Sequence, residues 1–186
     1  HGMRCLVVDE PFDPWQAPEA DALFCERRGL AVGVLTADCA PVLLADPRAG
    51  RIAAVHAGWR GLLHGVLEAT LAVFAARGSR FTDLYAAVGP CIGPSSYEVG
   101  PDFAAAFLAR DPQSAAFFCR RAGERPHFDL PGYVCARLQR AGLPAQQIEL
   151  LARDTCREAE LFFSHRRNRL AGEARFGLQL SAILLA

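Results

Sequence analysis

A cysteine and a histidine stand inside two apolar stretches of this chain, Cys39 in GVLTADCAPVLL (residues 33–44) and His56 in RIAAVHAGWRG (residues 51–61). A thiolate and an imidazole are zinc donors, and a catalytic zinc takes three protein ligands and keeps one position open. The same pair suits nucleophilic catalysis, in which an imidazole lowers the thiol pKa. A free Cys is equally at home as a small buried hydrophobe, and the sixteen residues between the two make no local ligand motif. Asp38, next to Cys39, is a candidate for proton transfer, for support of its neighbours or for shaping a turn. Trp59 and Arg60 follow His56 and offer a face for a planar ligand and a fork for an anion. A packing Trp and a surface Arg fit those positions as well.

The remaining candidates read as structural. His64 and Glu68 are four apart on the polar side of a helical stretch, a solvated face. Cys91 sits in GPCIG, as a second thiol nucleophile or as part of a tight turn. His127 and His165 stand alone. The chain has no H-E-x-x-H, no deaminase pair of H-x-E with P-C-x-x-C and no phosphate-binding glycine loop.

The elements around these residues follow from apolar spacing and turn signals. Residues 4–8, a short stretch around Leu23, and residues 30–36, 41–45 and 52–56 read as strands, the last three as buried ones. The turn ADPRAGR makes 41–45 and 52–56 a hairpin, so Cys39 and His56 sit at strand ends. Residues 61–77 have helical spacing, with Leu62, Leu63, Val66, Leu67, Val73 and Phe74 on one face and Gly78 as the stop. Strands are expected at 84–88 and 148–152 and in FGLQLSAILL, and helices at 101–110 and 131–140. Thr155 to Glu158 has the form of a capping box, which predicts a helix from there through LFFSHRR. The sum is a single mixed α/β domain of mixed sheets with flanking helices over residues 1–186.

Composition narrows the function classes. The chain has 186 residues, 52% of them hydrophobic, and twenty basic against twenty acidic side chains, every basic one an Arg. That balance fits a globular fold and lacks the basic stripe of a nucleic-acid binder. Seven Cys, an odd number with no C-x-x-C, fit neither a disulfide frame nor a zinc ribbon and point to a reducing compartment, the cytoplasm. No apolar run approaches the roughly 18 residues of a membrane span. The first residue is His1, so a trimmed N-terminus is expected.

Four blocks, LTADCAPVLLAD, AVHAGWRG, VGPCIGPSSYEVG and DTCREAELFFSHRR, together resemble the bacterial YfiH/YlmD-type laccase-domain, or polyphenol oxidase, family. The resemblance implies a purine nucleoside phosphorylase with adenosine deaminase and methylthioadenosine phosphorylase activities. It also implies a fold similar to the catalytic domain of a cysteine-hydrolase toxin, and a His-Cys-His metal site. Carried over by motif, the Cys is Cys39 and the second His is His56. The first His of the family lies in an H-G before a strand, which here is His1 in HGMRCLVVD, so the family's N-terminal segment is expected to be missing. Where the family shows S-Y-R-R this chain has Ser164, His165, Arg166 and Arg167, departing at His165, and where the family later shows Gly-Arg it has Glu173-Ala174-Arg175.

On that resemblance, Zn²⁺ held by His1, Cys39 and His56 brings the pKa of water toward about 7, which would serve attack at purine C6, while Arg60 would contact phosphate for phosphorolysis. Cys39, His56, Asp38 and Arg60 are the expected catalytic set, with purine nucleosides and phosphate as ligands. Copper is the weaker candidate, because multicopper sites need His-x-His pairs and none of the five His forms one. Two other readings compete: a metal-free hydrolase or amidase with Cys39 as nucleophile and His56 as base, and a purine or polyphenol binding module without turnover.

Overall fold

The computed structural model describes residues 2–13, 16–119, 123 and 125–186. Its centre is the expected hairpin. Strands β4 (Ala40–Asp46) and β5 (Arg51–Ala57) pair antiparallel with Ala40 opposite Ala57 and Asp46 opposite Arg51. The Asp46 carboxylate accepts from the Arg48 and Ala49 amides, which closes the turn through the short polar side chain.

Around it the chain adds β1 (Cys5–Val7), β2 (Ala22–Cys25), β6 (Tyr85–Val88) and β9 (Ile148–Leu150) in the order β1-β2-β5-β4-β6-β9. The two outer pairs are parallel and the inner ones antiparallel. A two-stranded sheet of β3 (Ala31–Thr36) and β10 (Gln179–Leu184) lies on one face, and a short pair, β7 (Phe118–Cys119) with β8 (His127–Phe128), stands apart. The molecule is a mixed α/β fold, as its spacing predicts, and the helices lie on one side of the main sheet.

Strand alternation serves two cores. Val42, Leu44, Ala53 and Val55 join the helix-side core, while Ile52 and Ala54, with Leu43 and Ala45 packed against them, face the β3–β10 layer. Covered on both faces, β4 and β5 are almost continuously buried. β3 departs from the fully buried reading: Val32, Val34 and Thr36 point inward, while Ala31 and Leu35 are exposed. A strand in an outer layer has only one face to bury.

The helix-side core is closed by α2 (Val66–Ala76), α3 (Pro101–Arg110) and α4 (Leu130–Arg140), through Leu67, Leu71, Phe74, Phe107, Tyr133, Val134 and Leu138. The stretch expected as one helix over 61–77 is two, α1 (Trp59–His64) and α2. Gly65, at φ +96°, ends the first and begins the second, a left-handed turn that suits a residue without Cβ. Asp129 caps α4 by accepting from the Gly132 amide.

The capping-box expectation at Thr155–Glu158 fails. Those residues form turns, and the only helix there is α5 (His165–Leu170), capped by Ser164 accepting from the Arg167 amide. Thr155 and Glu158 have other partners. The hydroxyl of Thr155 donates to Asp38, and Glu158 accepts from the Asp154 amide and from Arg153. The loop from 155 to 164 is instead held by Arg167, whose guanidinium donates to the carbonyls of Thr155, Cys156 and Phe162.

Candidate active site

The turn between β3 and β4 carries Asp38 and Cys39, and the far end of β5 carries His56. Pairing of Ala40 with Ala57 and of Pro41 with His56 brings Cys39 and His56 to the same end of the hairpin. Pro41 lies inside β4, and its carbonyl accepts from the Gly89 amide of the neighbouring segment. Immediately after β5, α1 sets Trp59 and Arg60 at its first turn, with the Arg60 guanidinium 4.4 Å from the centre of the Trp59 ring.

These side chains line one cavity of about 540 Å³. Cys39, His56, Asp38 and Arg60, the four residues expected to act together, are all in its wall, as is Trp59. Other wall residues were not anticipated there. Tyr97, from the Gly/Pro loop, and Phe176 and Leu178, from the approach to β10, complete it, and His165 lines it rather than standing alone. Arg166, whose role the sequence left open, enters from the first turn of α5. Its guanidinium donates to the Ser96 and Glu98 carbonyls and lies 5.5 Å from the Tyr97 ring centre. Among the described residues neither Arg60 nor Arg166 forms an ion pair with a carboxylate. Tyr97 and Arg166 lie in sequence blocks already singled out; Phe176 and Leu178 carried no signal beyond an apolar strand.

Burial sets the protonation of the site. The Cys39 thiol is pushed up to about 11 by burial, with the Asp38 charge adding to the effect. Burial lowers the His56 pKa, against the nearby Asp21 charge, and favours the neutral imidazole. The phenol of Tyr97 is raised by burial as well, so it stays an O–H donor. Asp38 is buried, and both of its carboxylate oxygens accept hydrogen bonds, one from the Thr155 hydroxyl at 2.7 Å and one from the Arg166 amide at 2.6 Å. Both oxygens are thus engaged by partners within the chain.

Other sequence candidates fall away from the cavity. Cys91 is buried in the helix-side core, its thiol raised by burial and by the Asp129 and Asp154 charges, which rules out the second-nucleophile reading. His64 is exposed and Glu68 pairs with Arg137 across to α4, so the two do not act as a pair. His127 sits in β8 opposite Cys119. His1 lies outside the described residues. Among the described residues, no three His, Cys, Asp or Glu side chains are grouped closely enough to hold a metal ion. Cys39 and His56 could supply two donors to such a site, and the segment adjoining His1 is anchored beside His56. The Gly2 amide donates to the Asp21 carboxylate, and the Asp21 carbonyl accepts from the His56 amide, each at 2.8 Å.

A family model described as "Multi-copper polyphenol oxidoreductase laccase" matches residues 1–186. The chain belongs to that family. Among its relatives is the purine nucleoside phosphorylase YfiH of Shigella flexneri, 39% identical over 172 residues that make up 92% of this chain and 68% of the relative. Among solved structures, a hypothetical protein YfiH of Bacillus licheniformis superimposes with a TM-score of 0.90 at 31% identity, over 100% of this chain and 72% of that one. YlmD of Geobacillus stearothermophilus gives 0.89 at 28% identity, over 99% and 70%. The YfiH/YlmD resemblance read from the four blocks thus holds in sequence and in fold. The chain spans about two thirds of the length of the relative it matches. No helix among the described residues of this laccase-family chain is long and apolar enough to cross a membrane.

Proposed function

We propose that this chain is a purine nucleoside phosphorylase that holds Zn²⁺ with Cys39, His56 and His1, and that adenosine deamination and methylthioadenosine phosphorolysis are carried out in the same cavity. One observation carries the reading: a single cavity gathers a thiol, a neutral imidazole, aromatic faces and two guanidiniums that no described carboxylate neutralises. The name of the Shigella relative points the same way.

A soft thiolate and an imidazole suit zinc; they bind copper as well, but the chain has no His-x-His pair of a multicopper site. Zinc held there supplies a Lewis acid. The protein's own residues do the rest. Arg60 and Arg166 offset phosphate charge and orient the anion, and the faces of Trp59 and Tyr97 take the planar base. In phosphorolysis a phosphate oxygen bonds to C1′ while the C1′–N9 bond breaks and its electron pair leaves with the base. Tyr97, held protonated, donates to an acceptor on the bound nucleoside. A metal-free Cys-His hydrolase is disfavoured, because a nucleophilic thiol needs its pKa lowered and that of Cys39 is pushed up to about 11.

The test is chromatography with mass detection on protein given adenosine, with and without phosphate, and methylthioadenosine in parallel. Metal content is measured on the same sample, and Cys39→Ser is run beside it. Phosphate-dependent adenine with ribose-1-phosphate, together with inosine, all lost in Cys39→Ser along with zinc, is the expected result. Folded, zinc-loaded protein that gives no product overturns the assignment.

A further inference from the structure

Asp38 is the only non-glycine among the described residues with a left-handed backbone, at φ +83°. Few L-residues adopt that conformation, and it persists where the surroundings hold it. Here they do so from three sides. The Asp38 carbonyl accepts from the Ile92 amide at 2.9 Å, and its two carboxylate oxygens accept from Thr155 and Arg166, 117 and 128 residues further along the chain. Thr155 is itself fixed. It is fully buried, its amide donates to the Cys91 carbonyl at 3.1 Å, and its own carbonyl accepts from Arg167. Thr155 does not line the cavity; Asp38, Cys39 and Arg166 do.

We propose that Thr155 and Asp38 are positioning residues. The bridge from the Thr155 hydroxyl through the Asp38 carboxylate to the Arg166 amide fixes the direction in which the β3–β4 turn presents Cys39, and seats the Arg166 wall against it. One link sets both halves of the cavity, because Cys39 is covalently next to the strained residue and Arg166 is the other end of its hydrogen bond. That this matters for turnover rests on the phosphorylase reading; the geometric claim does not.

Thr155→Val removes the donor at nearly constant shape and leaves the Asp38 charge in place, while Thr155→Ser keeps the donor. In metal-stripped protein, peptide-resolved alkylation of Cys39 by iodoacetamide and hydrogen exchange at the Arg166 amide are followed in both variants. Thr155→Val is expected to speed each by on the order of tenfold, and to lower kcat by about tenfold or more with KM for adenosine within about threefold. Thr155→Ser should restore all of these to near the parent values. A Thr155→Val protein with a lowered Tm but parental Cys39 alkylation and Arg166 exchange overturns the proposal and leaves Thr155 a mere staple. If Thr155→Val does not fold, Thr155→Ala decides. That variant removes the hydroxyl without setting a branched methyl against the Asp38 carboxylate, and must give the same two signatures. A parent protein without activity refutes the phosphorylase reading alone, since alkylation and exchange are read without substrate.

Discussion

At the scale of single residues, Cys39 has the clearest solution signature. Its thiol is pushed up to about 11 by burial and the Asp38 charge, so at pH 8 about one molecule in a thousand carries the thiolate in the absence of a cation. Alkylation of Cys39 in chelated protein is therefore expected to rise about tenfold per pH unit well past pH 9. The exposed Cys119 serves as an internal comparison in the same digest. A Cys39 profile that levels off near pH 8 would contradict this environment. The residue types of the site were legible in the sequence, because a thiol, an imidazole and a guanidinium near strand ends have few common uses. Their protonation was not, since it depends on burial and on which way the Asp38 carboxylate turns.

Among elements, the β4–β5 hairpin and the Pro-initiated α3 match their sequence signals, because hairpin turns and helix starts are decided within a few residues. The failures share one cause. Thr155-x-x-Glu158 reads locally as a cap, yet the hydroxyl is taken by a carboxylate 117 residues away. The helical stretch over 61–77 keeps its apolar face on both sides of Gly65, so periodicity alone does not reveal the break. That break sets the direction of α1, which carries Trp59 and Arg60, apart from that of α2. Gly65→Ala places a Cβ on a backbone at φ +96° and is expected to lower stability by about 1–2 kcal/mol in urea unfolding. A variant as stable as the parent would show that the helix junction has relaxed.

Over the whole molecule, the hairpin is a shared wall between two cores, and the cavity opens where that wall ends. Sequence periodicity showed that β4 and β5 are buried but not that two different layers bury them, because a continuous apolar run is the same for either arrangement. On the helix side, Asp111 joins α3 to α4. It accepts from Arg140 and from the Tyr133 hydroxyl, and these hold its carboxyl below the usual aspartate value. A depressed folded-state pKa contributes stability that is present above the unfolded value and lost as pH falls through the folded one. Thermal melts should therefore show a loss of Tm on acidification below about pH 4 that Asp111→Asn reduces, by about 0.5 kcal/mol for a partly screened pair. An unchanged acid limb in Asp111→Asn would assign that loss to other carboxylates.

Trp59 gives the cavity an optical property. The chain has two tryptophans, and the indole of this one forms part of the cavity wall, half-buried under a guanidinium and 5.1 Å from the Phe103 ring. Any planar ligand that enters must displace solvent from that indole or change the charge above it. The emission of the protein thus becomes a titration signal for occupancy, with no dye, no product and no turnover required. Trp59→Phe, which removes that emitter, separates it from the light of Trp15.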